Sequence, residues 1–354
     1  MAGILDREEV YRRFDPSEAR KRIFDLAGQC REAWRIVQAW QPSLLAFPPR
    51  AVVVAGMGGS AIGGDLLAAL ARDLATVPIF VHRNYGLPAW TNAQTLVLAS
   101  SYSGNTEETL SSAAEAFRRG APLVAVTTDG ELARRASEWG ASLLKFDYPA
   151  QPREALGYSL LLLLGILVRL DLLPDMSPEI EESIAVLETL RAEIEPAVPS
   201  EKNPAKELAS WLHGGLPTIY GSDLFAPVAR RWKGQFNENS KSWAFFEELP
   251  EMDHNAVTGT ANPPSLAGRV RALFLTSEHD HPRNRLRQEV TRRLFEEAGV
   301  PCRTVAGRGK SPLAQVLSTV LLGDATSYYL AMLYRVDPTA IPAIHALKRA
   351  LAER

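Results

Sequence analysis

The sequence predicts an α/β protein with two domains, each an αβα sandwich in which helices flank a parallel sheet. Three observations support this prediction. The chain of 354 residues is long for a single domain. Apolar runs typical of buried strands alternate with helical segments, which is the pattern of right-handed βαβ units. Two of these runs lead directly into loops rich in glycine and serine.

The first domain, residues 1–153, is predicted to open with a helix over 15–40. Asp15-Pro16 supplies a cap and a first-turn proline, apolar residues follow at helical spacing, and Pro42 ends the pattern. Strand-like runs then occur at 51–55, 79–82, 95–99, 123–127 and 143–146. Ligands of parallel sheets bind beyond the carboxyl ends of strands, so we expect the binding site on the loops after the first and third runs.

A helical connector is predicted over 154–200. It contains the apolar stretch 156–173, which Arg169 and Asp171 interrupt. Because a membrane span needs about 20 largely uncharged residues, we expect a buried helix at a domain or subunit interface instead.

The second domain, residues 201–354, repeats the strand and helix pattern less clearly. Gly221-Ser222, after its first strand, resembles the first loop weakly, as a duplicated domain would. Strand-like runs occur at 217–220, 243–246, 270–276 and 303–305, and closing helices are predicted over 313–335 and 341–351.

Composition argues against several classes of partner. The formal net charge of −2 gives no reason to expect a nucleic acid or an anionic membrane. Cys30 and Cys302 are far apart and form no CxxC pattern, so we expect a reducing, cytoplasmic environment. Residues 1–13 lack the apolar core of a signal peptide.

The two loops indicate a phosphate site. The first loop contains Gly59 and Ser60. The second places Ser101, Ser103 and Thr106 around a turn that leads into a helix. Free N–H groups and the dipole at a helix start favour a bound anion. One hydroxyl alone would more simply be a helix cap, but several hydroxyls together with a second Gly-Ser loop favour phosphate.

Two other motifs are weaker. Gly56-x-Gly58-x-x-Ala61 fits a dinucleotide fingerprint, but the next strand ends in His82-Arg83-Asn84, without the acidic residue that an NAD ribose needs. His279-Asp280-His281 could suggest a metal, yet no third ligand follows at zinc-like spacing. We therefore expect no cofactor and no metal.

The loops resemble the sugar isomerase (SIS) domain, a parallel-sheet fold that binds phosphosugars. Gln235-Phe236-Asn237-Glu238-Asn239-Ser240-Lys241 and Met252-Asp253-His254-Asn255 are similar to the catalytic signature of the bifunctional phosphoglucose/phosphomannose isomerases, whose members have two SIS domains. The segment 152–158 and Asp337-Pro338 with Leu347-Lys348 also fit, in the order of that family.

The resemblance implies an aldose–ketose isomerase that converts glucose 6-phosphate, and also mannose 6-phosphate, into fructose 6-phosphate through a cis-enediol. It implies that Glu238 moves the proton between C1 and C2, beside Arg153 as the cation for the enediolate. It assigns ring opening to His254 with Lys348. The implied phosphate ligands are Gly59, Ser60, Ser101, Ser103 and Thr106. The resemblance further implies a homodimer in which His254 of one subunit completes the site containing Glu238 of the other.

Taken singly, the same residues have plainer interpretations. Glu238 alone would be a solvated carboxylate at a helix start, although a carboxylate can reach two neighbouring carbons and burial can raise its pKa. His254 alone would be a surface residue in a turn, and Lys348 a charge that complements a helix dipole. Arg153 at a helix start opposes the dipole, a local conflict that slightly favours a functional role.

One departure from the family concerns substrate choice. A hydroxyl residue shortly before the C-terminal lysine is thought to permit both C2 epimers, and here Thr339 and Ile341 occupy that region. If Ile341 takes the hydroxyl's place, mannose activity is in question. Two alternatives stay open, a non-catalytic SIS-type phosphosugar-binding regulator and an aminosugar-phosphate isomerase. A regulator would have no reason to keep Glu238, Arg153 and His254 together.

Overall fold

The computed structural model describes residues 2–42 and 48–353, whose strands form two parallel sheets. The strands are β1 Ala51–Ala55, β2 Ile79–His82, β3 Thr95–Ser100, β4 Leu123–Thr127, β5 Ser142–Lys145, β6 Leu216–Ser222, β7 Phe245–Leu249, β8 Val270–Thr276 and β9 Cys302–Ala306. The first sheet has the order β2-β1-β3-β4-β5 and the second the order β7-β6-β8-β9, with every neighbouring pair parallel.

Helices cover the two faces of the first sheet. The α-helices of the chain are α1 Glu8–Phe14, α2 Ala19–Ile23, α3 Leu26–Ala39, α4 Gly58–Ala71, α5 Glu107–Arg118, α6 Gly130–Glu138, α7 Leu156–Arg169, α8 Ser177–Ile194, α9 Pro204–Leu212, α10 Ala226–Glu238, α11 Pro264–Ala267, α12 Pro282–Glu297, α13 Pro312–Tyr334 and α14 Pro342–Ala352. Val52 and Val54 of β1 pack into one apolar cluster with α4 and α7, while Val53 packs into another with α5 and α6. The predicted fold class, parallel sheets between layers of helices, is therefore confirmed.

A shared core connects the two sheets. Helix α7 is buried from Leu156 to Leu167 and packs against α3 and α4, which confirms the prediction of a buried helix here. Helix α13 is long and apolar enough to cross a membrane by length and composition, but 94% of its most apolar window is buried inside the fold. It packs against α8, α9 and α10, and one continuous apolar cluster includes it together with α7 and strands of both sheets.

The N-terminal helical region differs from its prediction. Residues 15–40 form two helices, α2 and α3, separated at Phe24 and Asp25, and α1 precedes them. The Asp15 carboxylate accepts a hydrogen bond from the backbone N–H of Ala19 at 2.7 Å, as a cap for α2 alone. The ring of Phe24, at the break, packs against the rings of Tyr328 and Tyr329 of α13. This long-range contact has no signature in the local apolar spacing.

Two strands of the second sheet also differ at their ends. Strand β7 begins at Phe245, which pairs with Thr218 of β6, two residues after the predicted start at Trp243. Strand β6 continues through Gly221 and Ser222 rather than stopping before them. Ser222 is therefore part of a buried strand end and not of a loop that resembles the serine loops of the first sheet.

Candidate active site

The two serine loops lie side by side at the carboxyl end of the first sheet. In the parallel register Ala55 of β1 pairs with Ala99 of β3, so the segments after these strands emerge together. The Oγ atom of Ser60 accepts a hydrogen bond from the backbone N–H of Tyr102 at 3.2 Å. Ser101 Oγ and Thr106 Oγ1 are 2.9 Å apart. The structure thus brings three of the predicted hydroxyls into one small region.

The hydroxyls do not act as ordinary helix caps. Thr106 is the residue before α5, but its hydroxyl pairs with Ser101 and, within the described part of the chain, makes no capping hydrogen bond to the helix. Met57 precedes α4 and likewise provides no side-chain cap there. Side chains therefore leave the starts of both helices uncapped, although the Ser60 N–H donates to the Met57 carbonyl oxygen at 3.0 Å. An anion site requires such uncapped helix starts. Ser103 is exposed, and its Oγ accepts from Asn105 N–H at 3.2 Å within the turn itself.

Gly59 connects the first loop to Arg153. A Cβ atom at Gly59 would lie 2.6 Å from the carbonyl oxygen of Pro152, closer than real Cβ contacts allow. The absence of a side chain lets the loop contact the short 3-10 helix Pro152–Glu154 directly. This contact places the Arg153 backbone next to the start of α4.

Arg153 is 4% exposed and contacts Glu238, the last residue of α10. Its Nη1 lies 3.3 Å from Glu238 Oε2, and its Nε donates to Asn239 Oδ1 at 2.9 Å. Its Nη2 donates to the carbonyl oxygens of Pro338 at 2.7 Å and Thr339 at 3.1 Å. Each nitrogen of the guanidinium group therefore has an acceptor, which fixes its plane beside the Glu238 carboxylate.

Glu238 closes a helix rather than opening one. It is the last residue of α10, and its side chain is 33% exposed. A carboxylate at a helix C-terminus is disfavoured by the helix dipole, and Arg153 offsets this unfavourable placement. The interpretation of Glu238 as a carboxylate at a helix start is therefore wrong, because the residue lies at a helix end. A carboxylate in this unfavourable position is a local conflict of the kind found at functional sites.

A second layer of buried polar residues holds this pair, and sequence reasoning missed it. Arg231 donates through Nη2 to the carbonyl oxygen of Arg153 at 3.0 Å and to Asp324 Oδ2 at 2.5 Å. Asn239 donates through Nδ2 to Ser327 Oγ at 2.9 Å. Asn239 could have been found from its place beside Glu238 in the signature segment, whereas Arg231 and Asp324 have no sequence signal that connects them.

A cavity of about 220 Å³ opens between the glycines at the start of α4 and the Arg153–Glu238 pair. Its lining includes Gly58 and Gly59 from α4 and Glu238 from α10. Cationic side chains dominate its polar lining, namely Arg83, Arg153, Arg230, Arg231 and Lys233. Carboxylates pair with four of these cations, Asp65 with Arg83 and Arg230, Asp324 with Arg231, and Glu238 with Arg153. The cavity is thus a concave polar site, and the adjoining serine loops suit a phosphate group.

Neither His254 nor Lys348 is among the residues that line this cavity. His254 is exposed at the end of the 3-10 helix Glu251–His254, after the edge strand β7, and Lys348 is exposed on α14. Among the described residues, no hydrogen bond or ion pair joins either side chain to Glu238 or Arg153. The segment around His254 is nonetheless anchored, because Asp253 accepts from Thr291 Oγ1 at 2.8 Å and from Arg287 at 3.3 Å.

Thr339 contacts Arg153 directly. Its carbonyl oxygen accepts from Arg153, while its buried Oγ1 has no hydrogen-bond partner among the described residues. Ile341 is the residue before α14. Thr339 therefore carries a buried hydroxyl without a hydrogen-bond partner among the described residues, while its carbonyl oxygen anchors Arg153.

The histidine-rich segment 279–281 has structural contacts. His281 Nδ1 accepts from the N–H of Arg283 at the start of α12, and His279 Nε2 lies 2.8 Å from the carbonyl oxygen of Lys310. In residues 2–42 and 48–353, no group of three or more His, Cys, Asp or Glu side chains is arranged to hold a metal ion.

Comparison with known proteins gives a consistent group of relatives. A sequence model described as the bacterial phospho-glucose isomerase C-terminal SIS domain matches residues 201–351. Relatives from Caldicellulosiruptor bescii and Aquifex aeolicus are each called bifunctional phosphoglucose/phosphomannose isomerase. The first is 42% identical over 94% of this chain and 98% of its own. The second is 39% identical over 86% of this chain and 91% of its own.

Solved structures share the fold. A glucose-6-phosphate isomerase like protein from Thermus thermophilus superimposes with a TM-score of 0.63 at 22% identity, covering 95% of this chain and 98% of that chain. The likeness extends over both sheets, so the arrangement of two parallel-sheet domains recurs as a unit.

Proposed function

The chain belongs to the family of bifunctional phosphoglucose/phosphomannose isomerases, and on that premise we propose that it interconverts glucose 6-phosphate and mannose 6-phosphate with fructose 6-phosphate through a cis-enediol. The observation that carries the proposal is the contact between the buried Arg153 guanidinium and the Glu238 carboxylate in one cationic cavity. A regulator that merely binds a phosphosugar would not need a carboxylate held against a buried cation.

The phosphate binds at the serine loops. Ser60, Ser101 and Thr106 supply hydroxyl donors, and the open starts of α4 and α5 supply backbone N–H groups, with Gly59 allowing close approach. Ser103 lies at the exposed rim of this group. Because the phosphate takes no part in bond changes, these contacts hold substrate and transition state about equally.

Proton transfer is the work of Glu238. In the open-chain aldose, one carboxylate oxygen removes the proton from C2, and negative charge develops on O1. Arg153 stabilises this charge electrostatically, since its guanidinium group is already fixed in place. Glu238 then delivers the proton to C1 while the hydroxyl proton moves from O2 to O1, which yields the ketose.

Ring opening precedes this transfer and is assigned to His254 with Lys348. Histidine titrates in the range needed to take a proton from the anomeric hydroxyl and to help return one to the ring oxygen. Both side chains are exposed and neither lines the cavity of its own chain, so a homodimer with shared sites would bring them to the partner's cavity. Cys30 and Cys302 are both free thiols, which fits a reducing cytoplasm.

A direct assay tests the proposed function. Purified protein is supplied separately with glucose 6-phosphate and mannose 6-phosphate, and fructose 6-phosphate formation is followed by a coupled enzyme. We expect both aldoses to react, because isomerisation removes the C2 stereocentre and one base can serve both epimers. Specific binding of both phosphosugars without turnover would favour the regulator instead.

Thr339 is expected to govern mannose activity. Its hydroxyl, which has no partner in the described part of the chain, belongs to the residue whose carbonyl oxygen anchors Arg153, and Thr339→Val should lower kcat/KM for mannose 6-phosphate by about tenfold more than for glucose 6-phosphate. Ile341→Thr is the matched comparison and should change the ratio little. If the wild type is inert toward mannose 6-phosphate and Ile341→Thr confers activity, then Ile341 and not Thr339 is decisive.

Removing the phosphate hydroxyls is expected to weaken binding. The double variant Ser101→Ala, Thr106→Ala should raise KM far more than it lowers kcat, because each lost hydrogen bond to a charged group costs roughly 1.5–3 kcal/mol. Ser137→Ala removes a hydroxyl that bonds its own helix α6 and serves as the control. An unchanged KM in the double variant would place the phosphate elsewhere.

A further inference from the structure

Lys241 has a set of contacts that the proposed reaction does not yet use. It lies three residues after Glu238, just beyond the end of α10. Its Nζ donates to the carbonyl oxygens of Glu238 at 2.6 Å, Asn239 at 3.3 Å and Pro338 at 3.2 Å. A lysine ammonium group has three donor hydrogens, so these three carbonyls match its full capacity.

One of these carbonyls is shared with Arg153. The Pro338 oxygen accepts from Lys241 Nζ and also from Arg153 Nη2. The other two carbonyls that accept from Lys241 belong to the last residue of α10 and the next one. The ammonium group therefore ties the end of the helix that carries Glu238 to the same point of the backbone that anchors Arg153.

The backbone of Lys241 is in an unusual conformation. Its φ angle is 55°, in the left-handed region that glycine adopts freely and other residues rarely do. A glycine would satisfy the turn better on conformational grounds. The presence of lysine at this position therefore points to the side chain as the reason for the residue.

The folded environment of Lys241 disfavours the protonated form of its side chain. The residue as a whole is exposed, but partial burial of its ammonium group among the three carbonyls, together with the nearby guanidinium of Arg153, lowers the pKa of Lys241 to about 8, against the opposing attraction of Asp337 and Glu238. Because this pKa lies below the ordinary value of 10.5, the unfolded chain binds the proton more tightly. The free energy of unfolding therefore rises with pH between about 8 and 10.5. Near neutral pH, the protonated Lys241 side chain consequently adds nothing to stability through this pKa shift.

We propose that Lys241 is a positioning residue for the isomerase reaction. Through the Pro338 carbonyl oxygen, it fixes the position of the Glu238 carboxylate relative to the Arg153 guanidinium. The role rests on the proposed function of Glu238 and Arg153. It acts through the backbone, so Lys241 need not contact the sugar. Loss of its proton removes one donor and the charge, which loosens the link and lowers kcat on the alkaline side.

Four variants test this role. Lys241→Met removes the ammonium group, Lys241→Gly also removes the backbone strain, and Lys241→Arg keeps a charge that does not titrate in the accessible range. Lys202→Met, at an exposed lysine far along the chain, is the control for loss of a positive charge. For each protein, kcat and KM are measured with glucose 6-phosphate from about pH 6 to about pH 10, with thermal unfolding as a check on folding.

The expected result is a loss in kcat with little change in KM. Lys241→Met and Lys241→Gly should each lower kcat by about tenfold to a hundredfold, because small misplacements of reacting groups are costly, while KM stays within about twofold. The wild type should lose kcat above about pH 8, and Lys241→Arg should retain most activity without that loss. If Lys241→Met folds poorly, the test of the positioning role is whether Lys241→Arg lacks the loss of kcat above about pH 8 that the wild type shows.

The outcomes separate this role from the proposed function. An active wild type together with unchanged kcat and pH profile in Lys241→Met and Lys241→Arg would overturn the positioning role alone. A fall in thermal stability with normal kcat per folded molecule would overturn it as well, since that marks a structural role. A wild type without isomerase activity on either aldose would overturn the proposed function itself.

Discussion

Replacing Glu238 with glutamine is expected to abolish turnover while leaving sugar-phosphate binding nearly intact. The amide keeps the shape of the side chain and can still accept a hydrogen bond from Arg153 Nη1, which lies 3.3 Å from the carboxylate. It cannot remove the proton from C2. General base catalysis contributes on the order of 10²–10⁴ in rate, so kcat should fall by at least this factor. The serine loops, the proposed phosphate site, follow strands β1 and β3 of the first sheet and are unchanged by this substitution.

Binding and turnover are measured separately for this variant. The coupled assay gives kcat, and calorimetry with sorbitol 6-phosphate, an acyclic analogue that cannot isomerise, gives the dissociation constant. Glu207→Gln is the matched control, because Glu207 forms an exposed ion pair with Arg303 at 2.8 Å and such pairs contribute little. A Glu238→Gln variant with more than about a tenth of the wild-type kcat would mean that another group is the base.

The first sheet could be predicted from the sequence because its central strands are apolar on both faces. In β1 and β4, the predicted bounds match the observed ones, since a buried parallel strand ends where polar or glycine residues begin. Strand β7 begins two residues later than predicted, because the apolar run from Trp243 starts before the first residue that pairs with β6, and an apolar run does not show where pairing begins. At the break between α2 and α3, the Phe24 ring packs against Tyr328, about 300 residues away in the sequence. The local apolar spacing contains no signal for this contact.

The candidate site was predictable where its residues lie in short segments. Glu238 and Asn239 are adjacent, and the serine loops directly follow their strands, so resemblance and strand order sufficed to select them. The supports of the site are not local. Arg153 meets Asn239 across 86 positions, and Arg231 meets Asp324 across 93. Neither contact has a periodic or spacing signal, and the second arises from the way α10 packs against α13.

Mixing two inactive variants is expected to restore activity if the homodimer shares its sites. His254 and Lys348 are exposed, and in the part of the chain that the structure describes no hydrogen bond or ion pair joins either of them to Glu238. Exposed apolar side chains occur in the same segments. Trp243, just before the strand that leads to His254, is 79% exposed, and Leu347 beside Lys348 is 61% exposed. Such exposed apolar residues favour contact with another surface, and a second copy would cover them while bringing the His254 and Lys348 side chains to the site.

The test uses Glu238→Gln and His254→Ala, each inactive alone, unfolded together and refolded as an equal mixture. About half of the dimers then carry one chain of each kind. In a shared-site dimer, each mixed dimer places both lesions in one site and leaves the other site intact, so roughly a quarter of all sites should recover. Refolded wild type, carried through the same steps, fixes the maximum. Activity that stays at the level of the separate variants, while the wild type recovers, would mean that each site is built from one chain, and His254 would then have to reach Glu238 within its own subunit.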